Sequence, residues 1–170
     1  MEKRYAETRC IAIVGLPASG KTSIGSALAH RLGVPFVDLD EQIVKAEGRT
    51  IAQIFKVDGE AVFRQLESAF LEHATRDGTL VVSTGGGCVL APGNRSLLRE
   101  RCFVVWLDLS PELAAVRAEA GSRMDAGRSA MAPAVRPLLP EGDLLDRMKV
   151  LDAIRRPLYR GCADIVVQVG

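Results

Sequence analysis

The sequence predicts an α/β fold, a three-layer α/β/α sandwich around a five-stranded parallel sheet. Two observations carry this. Short unbroken apolar runs rich in β-branched residues alternate with helical patterns, the signature of a parallel sheet covered on both faces. The chain has 170 residues, 48% hydrophobic and 25% charged, which suits one compact domain spanning residues 1–170.

Taken in order, Cys10–Val14 reads as a first strand buried on both sides. Lys21–Leu32 follows as a helix with Ile24, Leu28 and Leu32 on one face; Gly33 ends it and Pro35 stops any continuation. Phe36–Leu39 is a second strand. Glu41–Arg76 holds two or three helices, the last carrying Val62, Leu66, Ala69, Phe70 and His73 toward the core. Leu80–Ser83 is a third strand leading into Gly85–Gly87, Asn94–Arg101 a helix, and Phe103–Leu107 a fourth strand. Ser110 is placed as an N-cap and Pro111 as the first residue of a helix reaching Ala120. Asp143–Arg156 is helical and Ile165–Val169 is the fifth strand.

Between Gly121 and Pro140 the rhythm breaks. Gly121, Gly127, Pro133, Pro137 and Pro140 interrupt any period, with Arg123, Arg128 and Arg136 among them. A long irregular segment inside a compact domain is commonly a lid, so a lid is expected at residues 121–140.

Composition excludes several classes of function. A formal net charge of +1 gives no field that would gather nucleic acid or an anionic membrane. No apolar run approaches the roughly 20 residues that cross a bilayer. Met1–Arg9 is charged and lacks the apolar stretch of a signal peptide, so a cytoplasmic location is expected. Cys10, Cys88, Cys102 and Cys162 form no CxxC pair, and His30 and His73 have no ligand-spaced neighbours. Buried thiols are therefore expected, rather than a zinc site or disulfides. A monomer is expected.

Gly15-Leu16-Pro17-Ala18-Ser19-Gly20-Lys21-Thr22 fits G-x-x-x-x-G-K-[ST] at every fixed position, after a buried strand and opening a helix. In such a loop Pro17, Ala18, Ser19 and Gly20 form a cradle that turns backbone N–H groups inward on phosphates (Pro17 itself has none), helped by the positive end of the helix. Lys21 reaches the β- and γ-phosphates, and the Thr22 hydroxyl is a magnesium ligand. The motif specifies a nucleoside triphosphate and Mg2+ but leaves the acceptor open.

On the acceptor side, Asp38 and Asp40 stand at the carboxyl end of the second strand, the edge where open α/β sheets bind ligands. Two readings stay open there: metal positioning and orientation of a nucleophile, or carboxylates that cap the next helix. Phe63-Arg64-x-x-Glu67 could equally be an i,i+3 surface ion pair. Gly85-Gly86-Gly87 suggests close backbone approach to a ligand, since three consecutive glycines weaken local structure. Arg155-Arg156-Pro157-Leu158-Tyr159 closes a helix, where basic residues also suit the macrodipole.

Together with Gly59-Glu60-x-x-Phe63-Arg64 and Arg136-Pro-Leu-Leu139, this ordered set resembles shikimate kinase, of the nucleoside-monophosphate-kinase-like branch of P-loop proteins. The resemblance spans nearly the whole chain. It implies a P-loop NTP hydrolase-like fold and transfer of phosphate from ATP to the 3-hydroxyl of shikimate. By the same resemblance Thr22 binds Mg2+ directly and Asp38 holds it through water. Asp40 orients or deprotonates the acceptor hydroxyl, and Arg64 and Arg155 grip the shikimate carboxylate. Gly86 and Gly87 line the substrate through their backbone, Arg136 closes from the lid over the transferring phosphate, and Arg117 lies beside adenine. The interval from Gly87 to Arg136 is longer than the family's. Two further readings are a gluconate-type small-molecule kinase and a ligand-sensing domain without turnover.

Overall fold

The computed structural model describes residues 10–76, 78–125 and 143–170. Beyond Asp125 the expected lid lies outside the described residues, and Arg136 with it. Five strands form one parallel sheet in the order β2-β3-β1-β4-β5: β1 (Cys10–Gly15), β2 (Phe36–Asp38), β3 (Leu80–Ser83), β4 (Cys102–Asp108) and β5 (Ile165–Gln168). In the central strand, Ile13 registers with Ser83 of β3 and with Val105 of β4. Side-chain alternation divides the core. Ala12, Val14, Val104 and Trp106 face a layer filled by Leu98, Met148, Leu151 and Tyr159, whereas Ile13, Val81 and Leu107 face Ala29.

The helices are α1 (Lys21–Leu32), α2 (Leu39–Glu47), α3 (Ile51–Val57), α4 (Gly59–Ala74), α5 (Pro92–Arg101), α6 (Pro111–Asp125) and α7 (Leu144–Cys162). Helix α1 buries Lys21, Gly25 and Ala29, leaving Ile24 and Leu32 exposed. Small residues are needed there: a Cβ on Gly25 would come within 2.7 Å of the Phe36 ring. The second strand stops at Asp38, one residue earlier than expected. Asp38 accepts hydrogen bonds from the N–H groups of Asp40 and Glu41, and so starts α2 at Leu39.

The burial of α4 differs from expectation. Phe63, Glu67 and Leu71 form its buried stripe, while Val62, Ala69 and His73 are exposed. Phe63 decides this by packing with Ile43, Ile54 and Phe55 in a separate small core between α2, α3 and α4. A capping box between Thr50 and Gln53 opens α3 and fixes its place in that core.

Helix α6 starts as expected, with the Leu113 N–H donating to the Ser110 hydroxyl at 3.3 Å, but runs on to Asp125. Helix α7 continues through Pro157 to Cys162, where an end at Arg156 was expected. An internal proline costs about 3 kcal/mol. Burial of Tyr159 and Cys162 beyond it offsets that penalty.

Candidate active site

Because β1 lies between β3 and β4, the chain segments after β1, β2 and β3 converge at the carboxyl edge of the sheet. Gly15 leaves β1 with φ +148°, and a Cβ there would sit 2.6 Å from the Leu107 carbonyl oxygen. Only glycine lets the loop start so close to β4. The Ser19 N–H donates to the Leu16 carbonyl at 3.2 Å, and Ala18 and Gly20 adopt φ values of 62° and 89°. Lys21 turns its ammonium into this loop, donating to the Leu16 carbonyl at 2.7 Å with the Ser19 hydroxyl 3.5 Å away. The first turn of α1 carries no acidic side chain, so its positive end faces the loop uncompensated.

The Thr22 hydroxyl donates to Asp38 Oδ2 at 2.7 Å, while Asp38 Oδ1 accepts from the Asp40 N–H at 3.0 Å and the Glu41 N–H at 3.3 Å. Asp38 is thus the cap of α2 and the partner of the loop threonine at once. Asp40 does not cap. It stands half-buried in the first turn of α2. A hydroxyl and a carboxylate are hard oxygen donors, the set that suits Mg2+.

Beyond β3, Gly86 and Gly87 bring two arginines to this edge. A Cβ on Gly87 would lie 2.5–2.8 Å from the Arg64 guanidinium. One on Gly86 would meet Pro17 at 3.2 Å, the Gly15 carbonyl oxygen at 3.3 Å and Arg155 Nη1 at 3.4 Å. The glycine turn therefore touches the phosphate loop and both guanidinium groups. Arg155 is 6% exposed. Arg64 is held by Glu67, Nη1 to Oε2 at 2.6 Å, and by Glu60 at 3.2 Å. Glu67 is completely buried, which excludes the surface-pair reading of this motif.

Of three further features of the site, the buried Cys88 thiol agrees with expectation and the other two escape the sequence reading. The Tyr159 hydroxyl donates to the Gly86 carbonyl; its spacing of four from Arg155 puts both on one face of α7 and is the signal that could reveal it. Burial pushes the Cys88 thiol well up, reinforced by the charges of Glu67 and Asp40 and opposed by Arg64. Asp108 receives both Nη atoms of Arg156, at 2.7 and 3.1 Å, and the Gln168 amide at 2.9 Å. Arg156 also bonds Asp152 at 2.8 Å and lies over the Trp106 ring. Hydrogen bonds to Asp152 and then Asp108 raise its pKa. Arg117 donates to the Gly170 carbonyl at 2.9 Å, beyond the end of β5.

The chain is similar to known proteins over most of its length. The chain is 43% identical over 155 residues to a shikimate kinase of Symbiobacterium thermophilum, covering 91% of this chain and 83% of that one. It is 42% identical to one of Paracidovorax citrulli, covering 92% and 80%. A shikimate kinase structure from Acinetobacter baumannii in complex with shikimate superposes with a TM-score of 0.83 at 34% identity, covering 100% of this chain and 88% of that one. The Aquifex aeolicus shikimate kinase gives 0.74 at 34%, covering 94% and 86%. With the family model described as Shikimate kinase matching residues 17–170, the chain belongs to the shikimate kinase family.

Proposed function

We propose that this chain transfers the γ-phosphoryl group of ATP to the 3-hydroxyl of shikimate, giving shikimate 3-phosphate and ADP. The observation that carries the reading is the convergence of Arg64 and Arg155 on Gly87 and Gly86, directly beside the phosphate loop. Shikimate is a small ring with one carboxylate and three hydroxyls, and two guanidinium forks match a planar carboxylate in a way ammonium groups do not. The Acinetobacter relative, which binds shikimate, supports the same acceptor. Neither a gluconate-type acceptor nor a sensing role without turnover is favoured by the relatives.

Phosphoryl transfer requires positioning and charge stabilisation more than covalent chemistry from the protein. Pro17, Ala18, Ser19 and Gly20 cradle the phosphates in this reading, and Lys21 follows the β- and γ-phosphates. Thr22 and Asp38 are the residues that would hold Mg2+, which supplies charge neutralisation on the phosphate oxygens. Asp40 orients the acceptor hydroxyl and takes its proton. Arg64 and Arg155 hold the carboxylate, with the backbone of Gly86 and Gly87 lining the ring. Arg136, in the lid at 121–140, covers the transferring group and keeps water out. Arg117, joined to the backbone beyond β5, flanks the adenine. Residues 1–170 act as one kinase domain, monomeric and cytoplasmic; among the described residues no helix is long and apolar enough to cross a membrane.

An ADP-release assay against shikimate, gluconate and related sugar acids tests the reading. ADP is expected only with shikimate and Mg2+. Release with gluconate alone, or with no acceptor in the panel, would overturn it.

A further inference from the structure

The peptide joining Gly86 to Gly87 is flanked by residues without a Cβ. Sterics alone constrain such a peptide less than one flanked by side chains. Yet both residues are buried and both touch arginines of the site. The Cys88 N–H donates to the Gly85 carbonyl at 3.0 Å and closes a turn around this peptide, which leaves the Gly86 carbonyl outside the turn's own bonds; the phenol of Tyr159, 1% exposed, donates to it.

We propose that Tyr159 is a positioning residue for the acceptor, fixing the Gly86–Gly87 peptide that lines the substrate. This rests on the shikimate kinase reading and deepens it. The peptide is trans, so a carbonyl held toward α7 turns the Gly87 N–H away from α7. Tyr159 and Arg155 share one face of α7, one turn apart. The same rigid element thus grips the glycine turn at its carbonyl and presents Nη1 of Arg155 against Gly86. The Tyr159 ring is seated against Trp106, with centroids 6.0 Å apart, which anchors the phenol to the sheet. Because a Cβ on Gly86 would meet Pro17 and the Gly15 carbonyl, the turn lies close against the phosphate loop, and its placement sets the distance between acceptor and loop.

Tyr159→Phe removes the hydroxyl and keeps the ring. Its KM for shikimate is expected to rise about five- to tenfold, the worth of one buried hydrogen bond, while KM for ATP stays within about twofold. Met148→Ala is the control: Met148 is buried in the first half of the same helix, away from Arg155 and Tyr159 in sequence, so its truncation tests what lost stability alone does. Its shikimate KM is expected to equal that of the wild type. An unchanged shikimate KM in Tyr159→Phe, or an equal rise in Met148→Ala, overturns the proposal. If Tyr159→Phe does not fold, Trp106→Phe, which loosens the seat of the phenol, takes its place with the same expectation and the same refutation. A wild-type protein that does not phosphorylate shikimate refutes the functional reading instead.

Discussion

Glu67, with no exposed surface, holds Nη1 of Arg64 at 2.6 Å from inside α4. A buried carboxylate needs a charged partner, and this one has the arginine that faces the glycine turn. The pair therefore fixes where the guanidinium points as well as neutralising the acid.

Glu67→Gln should loosen Arg64 without emptying the space. A hydrogen bond to a charged group contributes about 1.5–3 kcal/mol. Loss of part of it should raise the KM for shikimate about tenfold and leave that for ATP unaltered. Steady-state kinetics with each substrate varied will show this, and a parallel rise for ATP would mean that Arg64 serves the nucleotide.

Two glycines should respond in opposite ways to alanine. At Gly87 φ is −98°, an ordinary value, and the atoms nearest an added methyl belong to the Arg64 guanidinium, which Glu67 holds. Gly87→Ala strains no backbone, so it should lose less stability than Gly15→Ala yet bind shikimate far more weakly. At Gly15 the methyl meets a backbone carbonyl at 2.6 Å and φ is +148°, so Gly15→Ala should lose stability outright. Thermal melts beside shikimate titrations separate the two.

The phosphate cradle is legible from Gly15–Thr22 because a motif of fixed glycines, lysine and threonine follows a strand and opens a helix. The sheet is legible from its apolar runs. Helix α4 is not, because periodicity counts Val62 and Ala69 as core and Glu67 as surface. The Arg64 partner and the Phe63 packing reverse that choice, and neither is a property of local sequence. Helix α7 outruns its proline for a related reason: the penalty at Pro157 is local, whereas the burial of Tyr159 and Cys162 is tertiary. The Tyr159 bond is hidden further still, since its acceptor is a backbone carbonyl distant in the chain.

Asp38→Asn retains an oxygen that can accept from the Asp40 and Glu41 N–H groups, so α2 should keep its cap. What it removes is the negative charge beside Thr22. The expected result is a higher Mg2+ concentration for half-maximal rate, by about tenfold, with a melting temperature close to that of the wild type; the factor is that of one weakened charged contact. A metal titration of the rate decides it, and an unshifted midpoint would remove Asp38 from the metal site.

Asp40, which is not the cap of α2, should behave differently. Asp40→Asn is expected to lower kcat by about a hundredfold or more, the usual worth of a general base, with both substrates still bound. Retained turnover would leave orientation of the hydroxyl to other groups.

The Cys88 thiol offers a pH test of the buried floor of the site. Burial, then the charges of Glu67 and Asp40, push its pKa well above the ordinary 9.0, against the opposing Arg64 and the Asn94 amide. The folded state therefore holds this proton more tightly than the unfolded chain does. Its contribution is complete below about pH 9 and is lost as pH rises above that value, by about 1.4 kcal/mol per pH unit for one proton. Cys88→Ser keeps an acceptor for Asn94 and does not titrate in this range. Urea midpoints between pH 8 and 10.5 should therefore fall more steeply for the wild type than for Cys88→Ser, because only the wild type must give up this proton on unfolding. Parallel slopes would show that Cys88 ionises in the folded protein as readily as in the unfolded chain, and that water reaches the floor beneath the glycine turn.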